Sequence, residues 1–184
     1  YLRNLIIYST PSLYTVAQYT LNNTAADSTG RNSNITLANA PFVTNNGVYS
    51  NGIYPYLNST GSTIQTPYIK GFNFNDFSVS FEFKITSIPT SRKPIIVGGH
   101  SYRWIGANVE PNGTISLLWN NNNYTYSSTK IPVGTFNTAT IQYNGSVAKL
   151  YLNGVLACSQ YFKPVNGGDA NFQNTNYSNG TTFL

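Results

Sequence analysis

A chain of 184 residues is long enough to bury one core without staples, and its single Cys excludes an internal disulfide. Only 8% of its residues are charged, against about 25% in ordinary soluble domains, so solubility rests on Asn, Ser, Thr and Tyr or on attached glycans. The net charge of +5 comes from scattered basic residues with no run longer than Arg92-Lys93, which excludes an electrostatic nucleic-acid footprint, and no apolar stretch is long enough for membrane insertion.

The chain starts at Tyr1 and contains no Met, the pattern of a processed product or of a piece cut from something longer. Residues 1–21 read as two short strands broken at Pro11; residues 1–15 are an N-terminal arm or strand and 16–184 a single domain. Residues 26–31 (ADSTGR) form a turn, and 35–37, 47–56 and 62–69 are short strands separated by Gly, Pro and Asn-Gly breaks. Next comes FNFNDFSVSFEFKIT, in which Phe77, Val79, Phe81, Phe83 and Ile85 point one way while Ser78, Ser80, Glu82 and Lys84 point the other. That alternation predicts a half-buried strand. Residues 86–94 read as loop, followed by a buried Ile95-Ile96-Val97.

The stretch RWIGANVEPNGTISLLWN predicts a hairpin whose register checks itself. With residues 110–114 as the loop, Val109 meets Ile115, Ala107 meets Leu117 and Ile105 meets Trp119, all apolar, while Asn108 meets Ser116 and Trp104 meets Asn120 on the reverse, polar face. Trp119 is therefore assigned to the core, and Trp104 looks outward with Tyr102. Finally, ATIQYNGSVAKLYLNGVLA carries Asn-Gly twice, the strongest signal for tight hairpins, and so predicts three consecutive antiparallel strands. Two-residue turns set Tyr143 opposite Ser146 and Ile141 opposite Ala148, with Leu150, Leu152, Val155 and Ala157 on the same apolar face. Cys158 then falls opposite Lys149, where it reads as an inert small residue. No segment patterns as a helix, so the fold class is all-β, a sandwich of two antiparallel sheets.

Asn-x-Ser/Thr sequons occur at Asn22, Asn34, Asn58, Asn112, Asn123, Asn144, Asn176 and Asn179. Some arise by chance in so Asn-rich a chain. Others sit on hairpin tips or polar loops where a glycan acceptor belongs, which points to an exported glycoprotein.

Three of these segments carry a resemblance. Residues 18–30, the strand FSVSFEFKI and the paired hairpins of ATIQYNGSVAKLYLNGVLA resemble the laminin G-like branch of the concanavalin A-like lectin and glucanase superfamily over roughly residues 16–160. The resemblance implies a jelly-roll sandwich. It also exposes a departure: the chain stops with residues 179–184 (NGTTFL), where the family's last strand would begin. Either the chain is truncated, or the strand is supplied by another subunit or by the apolar arm at residues 5–13.

Glycosidases of that superfamily carry clustered carboxylates on one strand, as a two-carboxylate mechanism needs. The five acids here, Asp27, Asp76, Glu82, Glu110 and Asp169, form no such pair; Glu82 and Glu110 read as solvated charges, and the lone His100 makes neither a triad nor a zinc site, so no catalysis is expected. No cofactor is called for, except that calcium held at the sandwich rim of many relatives would take Asp27 and Asp169 as members. Asp27 equally explains itself as a turn residue. Binding is what remains. Sugar sites combine an aromatic platform with neutral amides and hydroxyls, and the candidate set is Tyr102, Arg103, Trp104, Asn120, Asn122, Tyr124 and Tyr126. The expectation is a non-catalytic glycan-binding or adhesion module at an extracellular cell or virion surface, with a glycan or glycoprotein ligand and a neighbouring domain or subunit as partners. The alternative is a structural subunit of a filament, fibre or viral coat, a homopolymer assembled by strand exchange.

Overall fold

The computed structural model describes residues 1–9, 14–44, 47–49, 63–70, 72, 76–100, 103–119, 123–161 and 171–173; for residues 9, 38, 63, 65, 99, 100, 103, 104 and 171–173 it describes the backbone alone. In chain order the strands are β1 (Leu2–Ser9), β2 (Tyr14–Tyr19), β3 (Thr36–Ala38), β4 (Phe42–Val43), β5 (Gly47–Val48), β6 (Thr63–Gln65), β7 (Phe77–Phe83) and β8 (Lys93–His100). There follow β9 (Arg103–Val109), β10 (Thr114–Trp119), β11 (Asn123–Lys130), β12 (Asn137–Tyr143), β13 (Val147–Leu152), β14 (Val155–Tyr161) and β15 (Asn171–Gln173). They make two antiparallel sheets. Sheet A runs β14-β13-β12-β7-β1-β5-β4 with β2 paired to β1, and sheet B runs β11-β10-β9-β8-β15-β6-β3. The expected jelly-roll sandwich is the observed architecture, and no helix occurs among the described residues.

One core lies between the sheets. Strand β7 shows strict alternation, with Phe77, Val79, Phe81 and Phe83 buried and the residues between them half-buried, as a period of two demands. From sheet A they join Leu5, Ile7, Ala139, Ile141, Tyr143, Leu150 and Leu152; from sheet B, Ile95, Ile105, Ala107, Val109, Ile115 and Leu117. The place beside β7 is filled by the chain's own start: β1 pairs with β7 on one side and β2 on the other, with Ile7 opposite both Val79 and Ala17. The N-terminal arm, one of the expected sources of a strand, thus lies between β7 and β2.

The register of the third hairpin is as read, with Val109, Ala107 and Ile105 opposite Ile115, Leu117 and Trp119. Three other readings are corrected. First, Tyr143 pairs with Ala148 and Ile141 with Leu150, a slip of two residues from the expected pairing. A two-residue hairpin turn needs positive φ at both central residues, as Asn153 (50°) and Gly154 (81°) have; at the first turn only Gly145 (81°) does. There the Asn144 side chain is used instead, its Oδ1 accepting from the Ser146 and Val147 amides at 3.2 and 2.8 Å, which lengthens the loop. An even slip leaves every side chain on its predicted face.

Second, a bulge at Ala157, opposite the step from Leu150 to Tyr151, shifts the rest of β14 so that Cys158 lies opposite Leu150 and packs against the core; Val155 keeps its expected place opposite Leu152 but is 65% exposed rather than buried. Burial pushes the Cys158 thiol up to about 11 despite a backbone hydrogen bond that pulls the other way. Third, the loop after β7 is shorter than read, since β8 starts at Lys93 and carries Pro94 next to a bulge. Trp119, assigned to the core, is half-buried against it and donates its indole N–H to Thr125 Oγ1 at 2.9 Å.

Candidate functional site

Strands β8 to β11 present a second face on the side of sheet B away from the core. Along β9 the inward residues are Ile105, Ala107 and Val109, which leaves Gly106, Asn108 and, just past the strand end, Glu110 on the outer side. Their partners on β10 are Leu118 and Ser116, and β11 sets Tyr124 against Leu118 and Tyr126 against Ser116. This face was expected to be solvated. Instead Asn108, Glu110 and Ser116 are buried, and Leu118 and Val97 form a small second cluster capped by Tyr124. Gly106 is required here, because a Cβ would lie 2.5 Å from the Ile96 carbonyl oxygen where β8 bulges toward it.

Arg92 ties the face together. Its Nε donates to Glu110 Oε1 at 2.6 Å, its guanidinium carbon sits 3.6 Å from the Tyr124 ring centre, and Nη2 donates to the Tyr126 hydroxyl at 2.6 Å. Ser116 Oγ donates to the same Glu110 oxygen. Burial opposes the guanidinium charge, but the Glu110 hydrogen bond and carboxylate charge outweigh it and raise the Arg92 pKa above its ordinary value. Glu110 is thus a buried brace, not a solvated loop charge. The two tyrosine rings lie 6.5 Å apart at 34°, and Tyr126 is 60% exposed, so one aromatic surface is held at a fixed angle and left open to solvent. Beside it, Asn108 Nδ2 is the buried side-chain nitrogen that finds no hydrogen-bond partner among the described residues. An orphaned donor of this kind costs about 1–3 kcal/mol.

Of the residues expected to bind a glycan, the structure brings together Tyr124 and Tyr126. Arg103 and Trp104 are described by backbone only, with Trp104 opposite Gly99 in the same register as Gly106 and Asn108. Tyr102, Asn120 and Asn122 lie outside the described residues, as does the candidate calcium residue Asp169. Sequence reasoning missed Arg92 and Glu110. A signal existed: the outward alternation 106, 108, 110 runs on past the end of β9, and a carboxylate at its end needs a partner.

Two of the other acids, Asp27 and Glu82, are also engaged. Asp27, the second candidate calcium residue, accepts five hydrogen bonds, from the amides of Gln18, Thr29 and Asn32, the Thr29 hydroxyl and the Asn32 side chain. Burial would raise its pKa, but these donors lower it to about 2. The carboxylate therefore serves as the staple of the turn after β2. Glu82, read as solvated, accepts from Arg3 Nε at 2.6 Å and Asn4 Nδ2 at 2.8 Å. No group of three His, Cys, Asp or Glu side chains suited to a metal occurs among the described residues. Five sequon residues, Asn22, Asn34, Asn112, Asn123 and Asn144, are exposed; Asn58, Asn176 and Asn179 lie outside the described residues.

Against known proteins, a laminin G-like family model described as the concanavalin A-like lectin/glucanases superfamily matches residues 58–183. No curated protein sequence matches the chain. Among solved structures, domain 4 of AbnA, an extracellular arabinanase of Geobacillus stearothermophilus in complex with arabinotriose, superposes with a TM-score of 0.64 at 21% identity, over 97% of this chain and 86% of that one. The sialidase of Trypanosoma rangeli gives a TM-score of 0.64 at 15% identity, over 98% of this chain but only 28% of the enzyme. The Crh5 transglycosylase in complex with NAG gives 0.52 at 15% identity, over 83% of this chain and 69% of that one. At such identities the likeness is one of fold.

Proposed function

The chain belongs to the concanavalin A-like lectin/glucanase superfamily, and from that premise we propose that it is a non-catalytic glycan-binding module whose platform is the exposed ring of Tyr126 on the outer face of sheet B. The observation that carries this reading is the bracing of that ring. A tyrosine that is 60% exposed, yet hydrogen-bonded through its hydroxyl to a guanidinium fixed by a buried carboxylate, is held ready for a flat apolar ligand face before any ligand arrives. A sugar ring supplies such a face, with hydroxyls at its rim for neighbouring amides.

Arg92 and Glu110 neutralise each other, so the platform carries no net charge and suits a neutral sugar. Of the four described carboxylates, Asp27, Glu82 and Glu110 are each committed to donors within the fold, which supports binding without catalysis. That the arabinanase domain was solved with arabinotriose makes neutral oligosaccharides the first class to try. The exposed sequons support an extracellular address, at a cell or virion surface, as part of the same proposal.

The test is a glycan array probed with the wild-type protein and with Tyr126→Ala. The expected result is retention of neutral glycans by the wild type and loss of at least about tenfold in affinity, near 1.4 kcal/mol, on removal of the ring. Equal retention by both proteins would sink the assignment of this face.

A further inference from the structure

We propose a second carbohydrate subsite on the opposite side of the molecule, in a groove across the outer face of sheet A. It rests on the glycan-binding reading for the class of its ligand and shares no residue with the Tyr126 platform. The groove has a volume of about 400 Å³, within the range of small-molecule sites. Its floor is a single cross-strand row: Tyr8 on β1 lies opposite Ser78 on β7, Ser78 opposite Gln142 on β12, and Gln142 opposite Lys149 on β13. At the usual strand spacing that row is about 14 Å long, the reach of a short oligosaccharide laid across the strands. Asp76 and Asn144 line the end of the groove next to the hairpin tip.

What separates this row from its neighbours is that its polar groups are unspent. In the next row Ser80 and Thr140 bond to each other at 3.2 Å, and beyond them Glu82 is taken by Arg3 and Asn4. By contrast, among the described residues no hydrogen bond or ion pair engages the side chains of Tyr8, Asp76, Ser78, Gln142 or Lys149. Their chemistry matches a polyol without net charge. A carboxylate accepts from two adjacent hydroxyls, an ammonium and an amide donate to hydroxyl oxygens, and a phenol ring offers an apolar face. Asp76 and Lys149 balance in charge while making no ion pair with each other, so each keeps its bonding capacity for a ligand. An anionic or a cationic ligand would meet one of them unfavourably.

The experiment is a titration of isotope-labelled protein, produced in bacteria so that Asn144 carries no glycan, followed through its backbone amides by NMR. Arabinotriose and cellotriose are the probes, with a neutral tripeptide as control. The expected result is a saturable shift of the Ser78, Gln142 and Lys149 amides with at least one sugar, weakened about tenfold or more by Gln142→Ala and by Asp76→Asn. Silence of these amides with both sugars, shifts that survive both substitutions, or an equal response to the tripeptide would each overturn the subsite. Shifts confined to Tyr124 and Tyr126 would overturn it while leaving the platform of sheet B standing. Shifts confined to the groove would uphold it and remove that platform.

Discussion

Removing the carboxylate of Glu110 should unlock the sheet B face, and the size of the effect follows from its partners. The Glu110 side chain is 6% exposed and accepts hydrogen bonds from Arg92 and Ser116. A hydrogen bond to a charged group contributes about 1.5–3 kcal/mol, and leaving a buried hydroxyl without its acceptor costs about 1–3 kcal/mol. Ser116 is fully buried and cannot turn to water, whereas the Arg92 side chain is 29% exposed and can rehydrate in part. The expected loss for Glu110→Ala is therefore about 3 kcal/mol, below the sum of the two, and a fall in Tm of about 6–12 °C. Glu110→Gln keeps an acceptor for Ser116 and should lose about 1–2 kcal/mol. Urea denaturation of wild type, Glu110→Gln, Arg92→Met and the double variant gives the pair's coupling directly. A value of about 1.5–3 kcal/mol is expected. Coupling within about 0.5 kcal/mol, as at a solvent-exposed ion pair, would refute the buried brace and with it the claim that Tyr126 is pre-positioned.

Three further outcomes follow from the same geometry. Asp27 titrates near 2 in the fold against an ordinary value of 3.8, so the unfolded chain takes up its proton first; its stabilisation, on the order of 2 kcal/mol, is fully present above about pH 5 and lost as pH falls toward 2. Urea melts of wild type and Asp27→Asn between pH 5 and pH 2 should show a shallower acid slope in the variant, with the remaining slope owed in part to Glu82, whose pKa Asn4 and Arg3 lower against the cost of burial. Gly106→Ala should destabilise by about 1–3 kcal/mol or more in a thermal melt, because the added methyl meets the backbone of Ile96 rather than a movable side chain. Cys158 should resist a disulfide reagent at neutral pH until the protein is unfolded, since burial holds its thiol near 11 and leaves little thiolate.

Where the sequence carries a period of two, it specifies the structure closely. The alternation of FSVSFEF and the apolar sorting of residues 105–119 each admit one register, because a one-residue slip would turn every Phe or Ile outward. The failures come where a local choice leaves that pattern intact. Asn144-Gly145 and Asn153-Gly154 are the same dipeptide, yet only the second makes the two-residue turn, since the first uses the Asn side chain to accept the following amides. The bulge at Ala157 in β14 that turns Cys158 toward the core is likewise invisible to alternation, which assumes equal strand lengths.

The site was legible only in its aromatic half. Tyr124 and Tyr126 stand out in a polar stretch, but the burial of Glu110 depends on Arg92, which lies 18 residues earlier and reaches it only because β8 and β9 pair. The groove of sheet A was beyond sequence reading for a similar reason. Tyr8, Ser78, Gln142 and Lys149 come from four strands, and their alignment in one row follows from β1 entering beside β7.

The central claim is that a neutral sugar stacks on the braced ring of Tyr126, and a crystal structure with the strongest neutral oligosaccharide of the array tests it most directly. The account predicts a sugar ring parallel to the Tyr126 ring at van der Waals distance, with the Arg92–Glu110 contact unchanged from its 2.6 Å. A bound sugar that leaves this ring bare would contradict it.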